Sequence, residues 1–153
     1  MKAHRYDSHL IWDGNLGEGT ATYQGYGRNY RVLVDGKTAL QGSANPMFRG
    51  DATVHDPEDL FLASIASCHM LSYLALCARE KIRVIAYEDH AEGTLVLEGG
   101  GGRFTEVVLH PKVTIADCDA DRAAQLHEKA HELCFIASSC SVPIRHEATI
   151  EVG

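Results

Sequence analysis

One stretch of this chain constrains its fold more than any other. From Pro57 to about Lys81 there is neither a glycine nor a second proline, and the segment opens on Asp56-Pro57-Glu58-Asp59. Asp56 can cap a helix, Pro57 suits the first helical position, and Asp59 stands three residues after the cap, where a carboxylate favours the positive end of the helix. Leu60, Phe61, Leu62, Ile65, Met70, Leu71, Tyr73, Leu74 and Leu76 then surround the helix instead of striping it. A helix apolar all round is buried on most sides, so this one is expected to form the core of the protein or of a dimer. Ser64, Ser67, His69 and Ser72 interrupt the apolar run, and MKAHRYDSHLIWDG at the N-terminus has no apolar signal core, so neither a membrane span nor a secretory signal is expected.

The remaining elements are shorter. Thr20–Tyr23 and Tyr30–Val34 read as strands, with Asp35-Gly36 turning the chain back into Thr38–Leu40, and Gly42 to His55 reads as a loop. Ile82–Glu98 and Phe104–Ile115 form a β-rich pair joined by Gly99 to Gly102. No Gly-Lys-Ser/Thr follows these glycines and no helix starts there, so a flexible turn is preferred over a phosphate loop. Asp117 or Asp119 can cap a second helix running to about Ser138, with Leu126, Ala130, Leu133 and Ala137 inward. Ile144 to Val152 alternates as one half-buried strand. The class is α+β: N-terminal strands, a long buried central helix, a β-hairpin, a second helix and a C-terminal strand. With 153 residues and no linker, residues 1–153 are expected to form one domain.

A net charge of −7 argues against nucleic acid or an anionic membrane as the main partner. Five cysteines, Cys68, Cys77, Cys118, Cys134 and Cys140, are an odd number for a secreted disulfide framework and suit reduced thiols of a cytoplasmic protein. Cys68, Cys77 and Cys140 fit the plain description of small buried hydrophobes, and Cys118 is expected in a loop. His127, His131 and Cys134 are spaced i, i+4, i+7 on the second helix and could hold zinc with a fourth ligand from elsewhere. The plainer reading is two solvated histidines beside a core cysteine.

The helix start and its cysteine, Asp56-Pro57-Glu58-Asp59-Leu60-Phe61-Leu62-Ala63-Ser64-Ile65-Ala66-Ser67-Cys68, resemble the Asn-Pro-Glu-x-Leu…Cys helix of the OsmC/Ohr family of thiol peroxidases. The second helix, with Cys134 standing 66 residues after Cys68, is similar to that family's second-cysteine helix, and the element order agrees over nearly the whole chain. Cys-His-Met at the first cysteine is closest to an OsmC-like branch of the family. Asp56 in place of Asn, His69 after the first cysteine and Phe135 in place of Pro after the second are departures. The resemblance implies a peroxidatic Cys68, a resolving Cys134 and an Arg–Glu pair beside Cys68. Glu58 takes the Glu place. Arg49, in Phe48-Arg49-Gly50, takes the Arg place, with Arg28 the second choice. It further implies two-fold intertwined dimers with the site at the subunit interface, a hydroperoxide substrate, a dithiol reductant such as a lipoylated protein, and no cofactor or metal.

These residue types suit that chemistry. A free thiol is only about 3% thiolate at pH 7, and burial in an apolar helix lowers that fraction. Cys68 is about three turns from the helix start, beyond reach of the dipole, so a permanent cation is needed, and a carboxylate would hold the guanidinium in place. Ten residues of helix put Glu58 about 15 Å from Cys68 and roughly 80° round the axis, so a Glu58 that shares a site with Cys68 is expected from a second subunit. Phe48, Phe61, Met70 and Phe135 are expected to make the surroundings apolar, which favours an organic hydroperoxide.

Overall fold

The computed structural model describes residues 1–116 and 119–153, so Asp117 and Cys118 lie outside the described residues. The chain forms two compact units, Met1–Leu60 and Phe61–Gly153.

In the first unit β1 (His9–Trp12), β2 (Tyr30–Leu33) and β3 (Leu40–Gly42) form an antiparallel sheet in that order. Gly36, at φ +76°, makes the expected turn between β2 and β3. Gly42 pairs with Tyr30, and a Cβ there would stand 2.3 Å from the Tyr30 ring. The expected strand at Thr20–Tyr23 is not formed. Asn15 Oδ1 accepts from the Gly17 and Gly19 N–H groups, and Ala21 N–H donates to the Glu18 carbonyl, so turn bonds outcompete the β propensity of the threonines. A single 3₁₀ turn follows at Pro46–Phe48.

α1 (Pro57–Arg79) starts as expected. Asp59 N–H donates to Asp56 Oδ1 at 2.9 Å and Asp56 N–H to Asp59 Oδ2 at 3.3 Å, a reciprocal cap in which Asp59 stands where Glu is usual. Within the single chain, only Ile65, His69, Tyr73 and Cys77 of α1 are buried. That is one stripe at four-residue spacing, not burial on most sides, and Leu71 remains 62% exposed. By length and composition alone α1 would cross a bilayer. Its buried stripe instead carries the polar groups of His69 and Tyr73 into the fold.

In the second unit, β4 (Arg83–Asp89), β7 (Pro111–Ala116) and β9 (Thr149–Val152) form one sheet, and β5 (Glu92–Glu98), β6 (Gly101–Leu109) and β8 (Ile144–His146) another. The hairpin joint is narrower than expected: Gly99 and Gly100, at φ +59° and +80°, make the turn, whereas Gly101 and Gly102 belong to β6. Each long β-rich segment is two strands in different sheets, divided near His90 and His110. Pro111, with no N–H to give, stands at the second division. The single C-terminal strand divides in the same way, β8 running parallel to β6 and β9 parallel to β7.

α2 (Ala120–Leu133) is capped by Asp119, whose side chain accepts from Arg122 N–H; the alternative Asp117 is outside the described residues. α2 ends five residues before the expected Ser138. Cys134 is extended, and its Sγ accepts from Ala137 N–H at 3.4 Å, so the thiol caps a separate short turn, α3 (Phe135–Ser138). Tyr73, Cys77, Ile82, Val113, Ile115, Ala123, Leu126 and Ala130 form one core cluster, and Ile65, Val107 and Leu109 a second.

Candidate functional site

Cys68 is half-buried on α1, and Cys134 is 1% exposed at the junction of α2 and α3. Both are free thiols. Burial pushes the Cys134 thiol up to about 11, and the nearness of the Cys68 thiol adds to the rise. The two cysteines singled out in the sequence are therefore brought together. Cys68 opens onto a groove of about 440 Å³ lined by Leu71, Ser72, Arg79, Leu133 and Phe135. The walls are apolar, and Phe135 is 81% exposed.

Arg79 at one end of this groove was not singled out from sequence. The signal was present: Cys68, Ser72, Ala75 and Arg79 recur at i, i+4, i+7, i+11, one stripe of a helix, with small residues between thiol and cation. Eleven residues span about 16 Å, so Arg79 serves the far end of the groove and not the sulfur. Of the aromatic and aliphatic residues expected around Cys68, only Phe135 lines this groove. Phe61 stacks on Phe104 at 5.0 Å and lines a different cavity with Arg103 and Cys140.

Arg28, Arg49 and Glu58 belong to the first unit. Arg28 donates to the Tyr26 carbonyl and, at 2.6 Å, to the Tyr23 carbonyl, and its guanidinium lies 3.7 Å from the Tyr26 ring centroid. All these partners are neutral, so its charge is not offset. Arg49 is exposed at the end of the 3₁₀ turn, in left-handed backbone at φ +66°. Glu58 is half-buried in the first turn of α1. Burial, then the charges of Asp56 and Glu58, push the Tyr30 hydroxyl above its ordinary range. Among the described residues no ion pair joins Glu58 to Arg28 or Arg49 within the chain.

The zinc arrangement is not formed. α2 ends before Cys134, and among the described residues no three His, Cys, Asp or Glu side chains converge to hold a metal. Nor are both histidines solvated: His127 is 0% exposed, and its Nδ1 lies 2.9 Å from His69 Nε2. The two rings are 6° from parallel, with centroids 5.3 Å apart. A ring nitrogen lies about 1.1 Å from its centroid, so a head-to-head N–H···N bond in a common plane accounts for that spacing. One ring donates and the other accepts, which the pair can do while both are neutral. Tyr73 stacks on His127 at 3.9 Å and donates its hydroxyl to the Ala123 carbonyl. His146, bonded to Glu128 at 3.2 Å, lies 5.7 and 5.8 Å from the two rings.

Burial, then the nearness of His146 and His131, brings His69 down to about 4. Burial, then His69 and His146, brings His127 down to about 3. His127 Nε2 has no partner among the described residues, an omission that costs about 1–3 kcal/mol in a buried site. In the sequence His69 stands out only as a break in the apolar run and as a departure from the family motif. Its place in the Ile65, His69, Tyr73, Cys77 stripe was hidden by the apolar residues on every other side.

The family model described as OsmC-like protein matches residues 50–148. The chain belongs to the OsmC-like family. An OsmC-like protein of unknown function from Vibrio cholerae O1 biovar eltor is 28% identical, with a TM-score of 0.86 over 96% of this chain and 100% of that one. An organic hydroperoxide resistance protein from Elizabethkingia anophelis is 23% identical, with a TM-score of 0.67 and the whole of both chains covered. One from Legionella pneumophila is 21% identical, with a TM-score of 0.68 over 97% and 99%. The last two likenesses are of fold. No curated protein matches the sequence. The α+β class and the OsmC-like fold expected from sequence are thus found.

Proposed function

We propose that this OsmC-like protein is a thiol-dependent peroxidase that reduces organic hydroperoxides to alcohols in defence against oxidative stress. The observation that carries the proposal is the nearness of the Cys134 thiol to Cys68, which opens onto an apolar groove. Cys68 thiolate attacks the terminal oxygen of the hydroperoxide, the O–O bond breaks, and the departing alkoxide leaves as alcohol after taking a proton. Cys68 is oxidised to a sulfenic acid. Cys134 sulfur then attacks Cys68, forming the disulfide and releasing water. A dithiol reductant, for which a lipoylated protein is the family precedent, restores both thiols by exchange.

On the family resemblance the cation beside Cys68 is Arg49, with Arg28 as second choice, and Glu58 of a second copy holds it. The functional form is then a cytoplasmic homodimer in which residues 1–153 act as one OsmC-like domain. The residues left exposed on α1 within a single chain suit a helix that also packs against a copy of itself.

Cys134→Ser protein is expected to consume one equivalent of hydroperoxide and then stall with Cys68 as sulfenate, read by stopped-flow and by mass spectrometry after dimedone trapping. Continued turnover at the wild-type rate would remove Cys134 from the cycle. A Cys134 thiol at about 11 is scarcely ionised at neutral pH. Disulfide closure should therefore be slow at pH 7 and accelerate up to about tenfold per pH unit towards 10, and a pH-independent closure rate would contradict this. If no peroxide reacts faster than with a free thiol, what remains is an OsmC-like scaffold without efficient chemistry.

A further inference from the structure

We propose that the buried His69–His127 pair is a positioning device, fixing the register of α1 against α2 so that Cys68 meets Cys134. The inference rests on the reading of those two thiols as a working pair. His69 is the residue after Cys68 on α1, and His127 lies seven residues before Cys134 on α2. One N–H···N bond of 2.9 Å between them therefore joins α1, which carries Cys68, to α2, whose C-terminal end leads directly into Cys134. One turn further along, Tyr73 stacks on His127 and bonds the Ala123 carbonyl at 2.9 Å. Beyond the end of α1, Glu80 takes the Arg122 guanidinium. These ties step forward along α1 as they step back along α2, which is the pattern of two antiparallel helices laced at fixed register.

The aliphatic contacts around the pair, such as Leu126 and Ala130, tolerate sliding and rotation, because dispersion is not directional. A coplanar N–H···N bond does not tolerate them. A slip of one residue moves a helix by about 1.5 Å and turns it by about 100°, which breaks the bond and carries Cys134 away from Cys68. A well-packed aliphatic pair in the same place would leave no ring nitrogen unsatisfied, and His127 Nε2 is left so. What the histidines add over such a pair is one allowed register.

The test measures closure of the Cys68–Cys134 disulfide directly, without peroxide. Reduced protein is treated with diamide. One thiolate adds to its N=N bond, the second thiolate attacks that sulfur, and the disulfide forms as the diamide is reduced to the hydrazine. Linked Cys68 and Cys134 peptides are counted by mass spectrometry over time, and the effective concentration of the pair is read against a glutathione buffer. His69→Leu is expected to slow closure and lower the effective concentration by about tenfold or more, since a displacement near 1 Å costs up to about a hundredfold in oriented reactions.

His69→Gln, whose amide nitrogen occupies the Nε2 position, is expected to stay within about threefold of wild type. His69→Asn keeps the polarity but falls short of His127, so it should behave like the Leu variant; it makes the same comparison if the Leu variant does not fold. Wild-type closure in Leu or Asn protein would overturn the inference. So would equal slowing in Asn and Gln proteins that tracks their loss of thermal stability. A wild-type protein that consumes no hydroperoxide, while the Leu or Asn variant still closes slowly, would remove the peroxidase reading and leave the positioning role standing.

Discussion

Cys68→Ser protein is expected to consume hydroperoxide no faster than buffer does, against steady turnover for the wild type with the same dithiol reductant. A serine hydroxyl is not a nucleophile towards peroxide oxygen and forms no sulfenic acid, so every later step is lost with the first. The change is nearly isosteric at a half-buried position, so circular dichroism should be unchanged. Cys77 and Cys140 do not line the Cys68 groove and offer no substitute there. Consumption of an organic hydroperoxide and of hydrogen peroxide, each followed with a coupled reductant assay, decides the matter. Normal turnover in the serine variant would rule the peroxidase out.

The second large effect is on stability in mild acid. His69 and His127 are neutral in the folded protein down to about 4 and about 3. In the unfolded chain both imidazoles charge near pH 6.5. The unfolded state therefore binds more protons below that pH. Stability is complete above about pH 6.5 and falls as pH drops towards 4, by about 1.4 kcal/mol per pH unit for each group that charges only on unfolding. The groups facing the pair do not relieve this. His146 from β8 and His131 from α2 are cationic when protonated, Tyr73 is neutral throughout the range, and Glu128 is engaged with His146 at 3.2 Å. Urea unfolding at pH 7, 6 and 5 should show a steep decline, with a shallower one in the His69→Gln variant. An unchanged midpoint between pH 7 and pH 5 would mean that the pair is not held neutral.

Some of this was legible in the residues and some was not. The start of α1 was, because Asp56, Pro57 and Asp59 act locally, and the hydrogen bonds between Asp56 and Asp59 need no tertiary help. That Cys68 and Cys134 work as a pair is what the family resemblance implies, carried by two motifs 66 residues apart, and it stays a proposal. Thr20–Tyr23 was misjudged because Asn15 and the glycines around it make turn bonds that propensity does not register. The division of the C-terminal strand depends on which partner each half finds, β6 or β7, and no local pattern encodes a partner. The end of α2 at Leu133 was missed because a cysteine sulfur acting as a cap is uncommon. The histidine pair was hidden for another reason: the bond between the two imidazoles joins residues 58 positions apart, which no local pattern registers.

Cys134 holds two posts at once. Its sulfur is the proposed resolving thiol and is also the acceptor that anchors Ala137 N–H and so starts the short turn Phe135–Ser138. A disulfide made by that sulfur replaces a freely rotating S–H with an S–S bond of fixed geometry, and so resets the direction of the lone pairs offered to the amide. Oxidation of the thiol pair is thereby coupled to the backbone beneath Phe135, the side chain that walls one side of the groove.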